Sequence, residues 1–264
     1  MKQSISFLKL GGSLITDKNL ANTALHEIID QLAQEIKVAR DQQPDMSLLL
    51  GHGSGSFGHF AAKRHGTRLG VNSDPEWAGF IEVWQSARQL NEIVLAALRV
   101  AELPVISIAP SAVVISENGQ IASWDTHPIQ SALEHGLIPM VYGDVVFDKR
   151  QGGAILSTEE LFLHLCNELQ PARILLAAND PVYSDFPGRN KVLPSINSKN
   201  IEDVRNSLSG GEGSDVTGGM LSKVEAALEM VTNSNADVWI FSGLAKGQIK
   251  KALLSQPIGT QISA

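Results

Sequence analysis

Short apolar runs that stop at a glycine turn recur along this chain and restrict it to a narrow set of folds. Residues 5–10 read as a strand and end in Gly11-Gly12-Ser13; apolar residues at helical spacing follow over 23–40. The pattern returns at 47–50 before Gly51-His52-Gly53-Ser54-Gly55, at 137–142 before Gly143-Asp144, and at 236–241 before Ser242-Gly243. Runs at 105–109 and 173–177 have the same character. Such runs, separated by helical segments at 78–101, 157–169 and 218–231, predict strands buried on both faces. The expected fold class is α/β, with a mainly parallel central sheet covered by helices. Ligands of such sheets bind beyond the carboxyl ends of the strands, where these glycine turns fall. Gly119 and Gly152-Gly153 instead read as hairpin turns, so antiparallel hairpins are expected at the sheet edges.

At 264 residues, 43% hydrophobic and 19% charged, the chain can bury a sizeable core. No linker, repeat or low-complexity tract divides it, which predicts a single domain over 1–264, with lobes at about 1–165 and 166–264. Cys166 is the only cysteine, so an intrachain disulfide is impossible and no metal site is assigned. A net charge of −7 argues against a broad nucleic-acid or anionic-membrane surface. No run reaches membrane-spanning length and the first residues lack a signal-peptide pattern, so the expected location is the cytoplasm.

Three glycine-rich turns are candidate phosphate sites: Gly11-Gly12-Ser13, Gly53-Ser54-Gly55-Ser56-Phe57-Gly58 and Thr217-Gly218-Gly219. Glycine lets the backbone approach an anion, and amides at a helix start point donors at it. The pattern G-x-x-x-x-G-K-S/T and a strict G-x-G-x-x-G before a long helix are both absent, which disfavours a P-loop or dinucleotide-binding reading. Lys9 precedes the first turn and Lys18 follows it, a placement suited to neutralising a transferring phosphoryl group from two sides. The bland alternative is a surface lysine. Lys9 lies among Phe7, Leu8 and Leu10, where an unpaired ammonium is costly, and that favours function. A lone histidine such as His59 is more often structural, but its turn also offers Ser54, Ser56 and backbone amides for a second anion.

Together, Lys9-Leu10-Gly11-Gly12-Ser13, Gly51 through His59, Gly143-Asp144, and Asp215 through Met220 with Lys223 resemble the amino acid kinase superfamily and, within it, the isopentenyl phosphate kinases. The resemblance runs from Lys9 to about Ile262. It implies an open αβα sandwich, usually homodimeric, that converts ATP and isopentenyl phosphate to ADP and isopentenyl diphosphate with magnesium. Carried over by position, Lys9, Gly11, Gly12 and Ser13 hold the transferring phosphates, Lys18 stabilises the transition state and Asp144 orients the lysines. His59 binds the acceptor phosphate, with Ser54 and Gly55 at its junction with the nucleotide. Gly218, Gly219 and Lys223 face ATP. Three positions depart from the family pattern: Ser54 and Thr158 stand where glycines are usual, and Asn179 or Asp180 replaces a nucleotide-side aspartate. For the isoprenoid tail, Phe80 and Trp84, four apart on a helix beside the acceptor turn, are the first candidates. A kinase of another phosphonate or phosphate monoester, as in fosfomycin resistance, and a non-catalytic nucleotide-binding protein of the same fold are the alternatives.

Overall fold

The structure is a computed structural model that describes residues 4–185, 188–209 and 219–263. Its main sheet has eight strands in the order β10-β12-β11-β9-β1-β2-β6-β3. These are β1 (Ile5–Leu10), β2 (Ser47–His52), β3 (Val105–Ser107), β6 (Ile138–Tyr142), β9 (Arg173–Ala178), β10 (Ser195–Ile196), β11 (Asp237–Ser242) and β12 (Thr260–Ile262). All neighbours are parallel except β11 and β12. The sheet takes strands from both halves of the chain. Apolar character on both sides of β1, β2 and β9 fits their central places.

The hairpins read from Gly119 and Gly152 are present, but they pair with each other rather than with the main sheet. They form a second, four-stranded sheet in the order β5-β4-β7-β8, from β4 (Val114–Glu117), β5 (Gln120–Trp124), β7 (Asp144–Asp148) and β8 (Gly152–Leu156). Asn118 and Gly119 both take positive φ, 53° and 74°, which suits the tight turn between β4 and β5. Asp148 ties the two hairpins together: its carboxylate accepts from Ser116 Oγ, Asn118 N, Gly119 N, Arg150 N and Gln151 N. Those bonds hold the group well below the usual carboxylate range although burial acts the other way.

Helices cover both faces of the main sheet. One core joins Leu8 and Leu10 to α1 (Gly12–Ile15), α2 (His26–Gln42), α4 (Asp74–Val100) and α10 (Gln248–Leu253), with Phe57 of α3 (Gly55–His65). The other joins Phe7 to α6 (His127–Glu134), α7 (Thr158–Leu169), α8 (Ile201–Ser209) and α9 (Met220–Ser234). The short α5 (Pro110–Val113) leads into β4. Side chains alternate along a strand, so Lys9 shares the face of Phe7, whose ring lies 5.0 Å from that of Phe162 on α7. The only ammonium on β1 is thereby aimed at α7. A third cluster, Ala61, Val71, Phe80, Val83 and Val145, packs α3 and α4 against the second sheet. Among the described residues no helix is long and apolar enough to cross a membrane.

Candidate active site

Four glycines end strands at the carboxyl edge of the sheet, and each donates its N–H back to a neighbouring strand. Gly11 N reaches Ala177 O at 2.8 Å, Gly53 N reaches Leu10 O at 3.0 Å, Gly143 N reaches His52 O at 3.1 Å and Gly243 N reaches Ala178 O at 2.8 Å. The Gly11 amide, expected at the phosphates, is therefore committed to the ladder. The amides of Gly12 and of exposed Ser13 open α1, where the first N–H groups have no intrahelical partner. The first and second glycine turns touch. A Cβ on Gly12 would overlap Gly55 N and lie 2.7 Å from Gly55 Cα, so glycine is required for this approach. Gly55 takes φ +49°, and a Cβ there would lie 2.7 Å from Gly12 O.

Lys9 is 5% exposed, and its Nζ pairs with Glu159 Oε1. Glu159 lies in the first turn of α7, placed there by a capping box: Glu160 N donates to Ser157 Oγ at 3.2 Å and Ser157 N to Glu160 Oε2 at 2.6 Å. Burial pushes the Glu159 carboxyl up, but the charge and hydrogen bond of Lys9, then the charge of half-buried Lys223, leave it below its ordinary value. One carboxylate thus serves two lysines brought from β1 and α9. Sequence reasoning gave Glu159 no role. The signal was the buried ammonium itself, which demands an anionic partner.

Asp144, expected to orient the lysines, is 1% exposed at the start of β7 and accepts instead from Ser111 N at 3.2 Å and Val145 N at 2.9 Å. Burial pushes its carboxyl up to about 6, and hydrogen bonds from Ser111 and Val145 recover only part of the shift. The folded chain therefore holds this proton more tightly than the unfolded one. The resulting stability is present in full below the unfolded value near 3.8 and is lost as pH rises through about 6. Asp144→Asn, which keeps an acceptor for Ser111, is expected to raise stability by roughly 1–3 kcal/mol at pH 8 and by little at pH 4. Urea unfolding at the two pH values checks it; equal effects at both would exclude a buried charge.

On the acceptor side, Ser54 precedes α3 and its backbone N lies 3.6 Å from where a Cβ on Gly143 would be, so the second turn abuts the Gly143-Asp144 corner. His59 is exposed on α3, one turn into the helix. Thr158 is 1% exposed, and its hydroxyl donates to His52 O at 2.6 Å, which binds α7 to the end of β2 rather than leaving the group for a ligand. Phe80 is 6% exposed in an aromatic group, 5.2 Å from Trp77 and 5.5 Å from Phe147 between ring centroids. Trp84 is half-buried against the same cluster, with the Arg88 guanidinium 5.5 Å over its ring. Lys18 is exposed in the loop after α1.

On the nucleotide side, Gly219 caps α9 with nothing among the described residues within 4 Å of a Cβ placed there, while Gly218 and its neighbours 215–217 lie outside the described residues. Asn179 directly follows β9, its carbonyl accepting from Ser242 Oγ at 2.6 Å. Its Oδ1 is buried and meets no hydrogen-bond donor among the described residues. Asp180 pairs with Arg189 at 3.2 Å. Of the two candidates for the nucleotide-side position, Asn179 is the one with an acceptor still unmatched.

The amino acid kinase family model matches residues 5–242. Isopentenyl phosphate kinase of Methanocaldococcus jannaschii is 34% identical over 268 residues, covering 98% of this chain and 98% of its own. That of Methanothermobacter thermautotrophicus is also 34% identical, covering 97% of this chain and 98% of its own. A solved isopentenyl phosphate kinase structure, 29% identical, superposes with a TM-score of 0.82 over 98% of this chain and 100% of its own. The sheet order, the glycine-edged site and these likenesses lead to one assignment: the chain is a phosphotransferase that belongs to the amino acid kinase family, among its isopentenyl phosphate kinases.

Proposed function

We propose that this protein transfers the γ-phosphoryl group of Mg-ATP to isopentenyl phosphate, giving ADP and isopentenyl diphosphate. An oxygen of the acceptor phosphate attacks the γ-phosphorus, and the bond from that phosphorus to the bridging oxygen breaks as ADP leaves. The acceptor is already an anion, so no general base is needed; what the site must supply is position and positive charge. The observation that carries the reading is a buried ammonium, Lys9, on the strand that leads into the first of two touching glycine turns and held by a carboxylate that a phosphate can replace as its partner.

Lys9, the amides of Gly12 and Ser13, and Lys223 neutralise the transferring phosphates, and Lys18 adds charge in the transition state. Glu159 takes the lysine-orienting part that the family resemblance gave to Asp144. His59, with Ser54 and Gly55, receives the acceptor phosphate. The half-buried Trp84 and the apolar group around Phe80 favour a hydrocarbon tail over a polar phosphonate. The unmatched Asn179 Oδ1 suits a donor on the nucleotide, an adenine amino group or a ribose hydroxyl. Magnesium would enter as Mg-ATP, carried by the phosphates, as hard divalent cations usually do in phosphoryl transfer. A homodimer, which the family resemblance implies, completes the reading, with lobes for acceptor and nucleotide at about 1–165 and 166–264 and a place in the cytoplasm as the sequence pattern suggests.

ADP release with Mg-ATP and isopentenyl phosphate, dimethylallyl phosphate, fosfomycin or N-acetylglutamate tests it. Isopentenyl phosphate is expected to be preferred; preference for fosfomycin would keep the chemistry and replace the acceptor, and ATP binding without turnover would favour a binding protein. In the same assay His59→Ala is expected to raise the acceptor KM about tenfold or more with the ATP KM nearly unchanged. Equal losses for both substrates would remove His59 from the acceptor site.

A further inference from the structure

Thr16 is 1% exposed, and its hydroxyl joins the two glycine turns. Thr16 Oγ1 donates to Gly12 O at 2.8 Å and accepts from Ser56 N at 3.0 Å. Ser56 is the second residue of α3, a position whose N–H has no acceptor within its own helix. Ser54, which stands at the N-cap position, makes no side-chain capping bond. The cap therefore comes from the other turn. Thr16 is itself fixed by its N–H to Gly12 O at 3.0 Å and by an isolated bridge to Ala24, so it has little freedom to follow α3 if that helix shifts.

The packing around it is tight. A Cβ on Gly55 would overlap Thr16 Oγ1 and lie 2.8 Å from Thr16 Cγ2. The threonine side chain thus fills the space between the turn that holds the transferring phosphates and the turn that holds the acceptor. We propose that Thr16 is a positioning residue that sets the separation and alignment of the two phosphate turns, and with them the distance between the γ-phosphoryl group and its acceptor. This rests on the two-phosphate reading above. Phosphoryl transfer depends on in-line placement, and a displacement near 1 Å at such a site costs about 100-fold in rate. Thr16 touches neither substrate in this scheme, so its loss falls on kcat.

Thr16→Val keeps the shape and removes the hydroxyl; Thr16→Ser keeps the hydroxyl and removes the methyl. Steady-state kinetics with Mg-ATP and isopentenyl phosphate are expected to show kcat down about 10- to 100-fold for the valine variant, both KM values within about threefold, and most of kcat restored by serine. Amide hydrogen exchange at Ser56, followed by NMR, needs no substrate and is expected to quicken about tenfold or more in the valine variant alone. Native kcat in the valine variant, or a serine variant as slow as valine, would overturn the proposal. So would unchanged protection of Ser56. If the wild-type protein does not turn over isopentenyl phosphate while Ser56 protection still depends on the hydroxyl, the acceptor assignment fails and the link between the turns stands; kinetics with the acceptor that does react then decide the positioning role.

Discussion

Replacing Lys9 with methionine is expected to lower kcat/KM by about 1,000-fold or more while leaving the fold intact, because it removes a buried ammonium from the strand that leads into the first glycine turn. Methionine matches the lysine stem and can occupy the same channel beside Phe7 and α7. What it cannot do is neutralise charge spread over a transferring phosphoryl group. The substitution also strands Glu159, whose side chain is 18% exposed and would keep the weaker influence of the Lys223 charge. Breaking one side of a buried pair costs about 3–5 kcal/mol, and the partial exposure of Glu159 with Lys223 nearby reduces this to roughly 1–3. The second arm of the experiment follows from that difference. Lys9→Met combined with Glu159→Gln should recover most of the lost stability in thermal unfolding and none of the activity. Recovery of turnover in the double variant would show that Lys9 serves only to balance Glu159, and the catalytic assignment of Lys9 would fall.

The same pair shows what one sequence reveals and what it hides. That Lys9 could not be an idle surface lysine followed from its neighbours, since a strand this apolar has no place for a solvated ammonium. Its partner did not follow, because Lys9 and Glu159 are 150 residues apart and only the pairing of β1 with the α7 side brings them together. Strand β1 was legible to its ends. Strand β2 was read too short because Gly51, His52 and Gly53 resemble a turn; yet Gly51 is a strand residue whose missing side chain makes room for Phe162, 2.7 Å from where a Cβ would be. Helix α3 was hidden for a related reason. Its opening Gly55-Ser56-Phe57-Gly58 has poor helix propensity, and the hydroxyl of Thr16 and packing against α4 supply what propensity does not. The two hairpins were visible from their glycines, but alternation along a strand does not name the neighbour, so their union in a second sheet was not. The expected Gly11 amide was lost to the ladder by the same logic: residue type marks a turn as able to meet an anion, while only the register shows which N–H groups are already in use.

Gly12→Ala isolates the geometric demand of the site from its charge. Residue 12 is in ordinary helical backbone, so alanine meets no conformational penalty and by propensity would even favour α1. The obstacle is the neighbouring turn: the added methyl would overlap Gly55 N and sit 3.2 Å from Gly53 C, and both are backbone atoms. Neither can rotate away as a side chain can. Gly53 is tied to Leu10 O by its own N–H and Gly55 is wedged against Thr16, so relief requires the acceptor turn to move as a unit with the start of α3. We expect a loss of roughly 2–4 kcal/mol in unfolding free energy, in the range of overpacked cores, and about 100-fold or more in kcat from the parted turns. Gly219→Ala is the matched comparison for stability. Its φ is −55° and a Cβ there meets nothing within 4 Å among the described residues, so thermal unfolding should be almost unchanged. If Gly12→Ala were as stable as Gly219→Ala and as fast as the wild-type protein, the two turns would not be in contact in solution, and the spacing on which in-line transfer here depends would have to come from elsewhere.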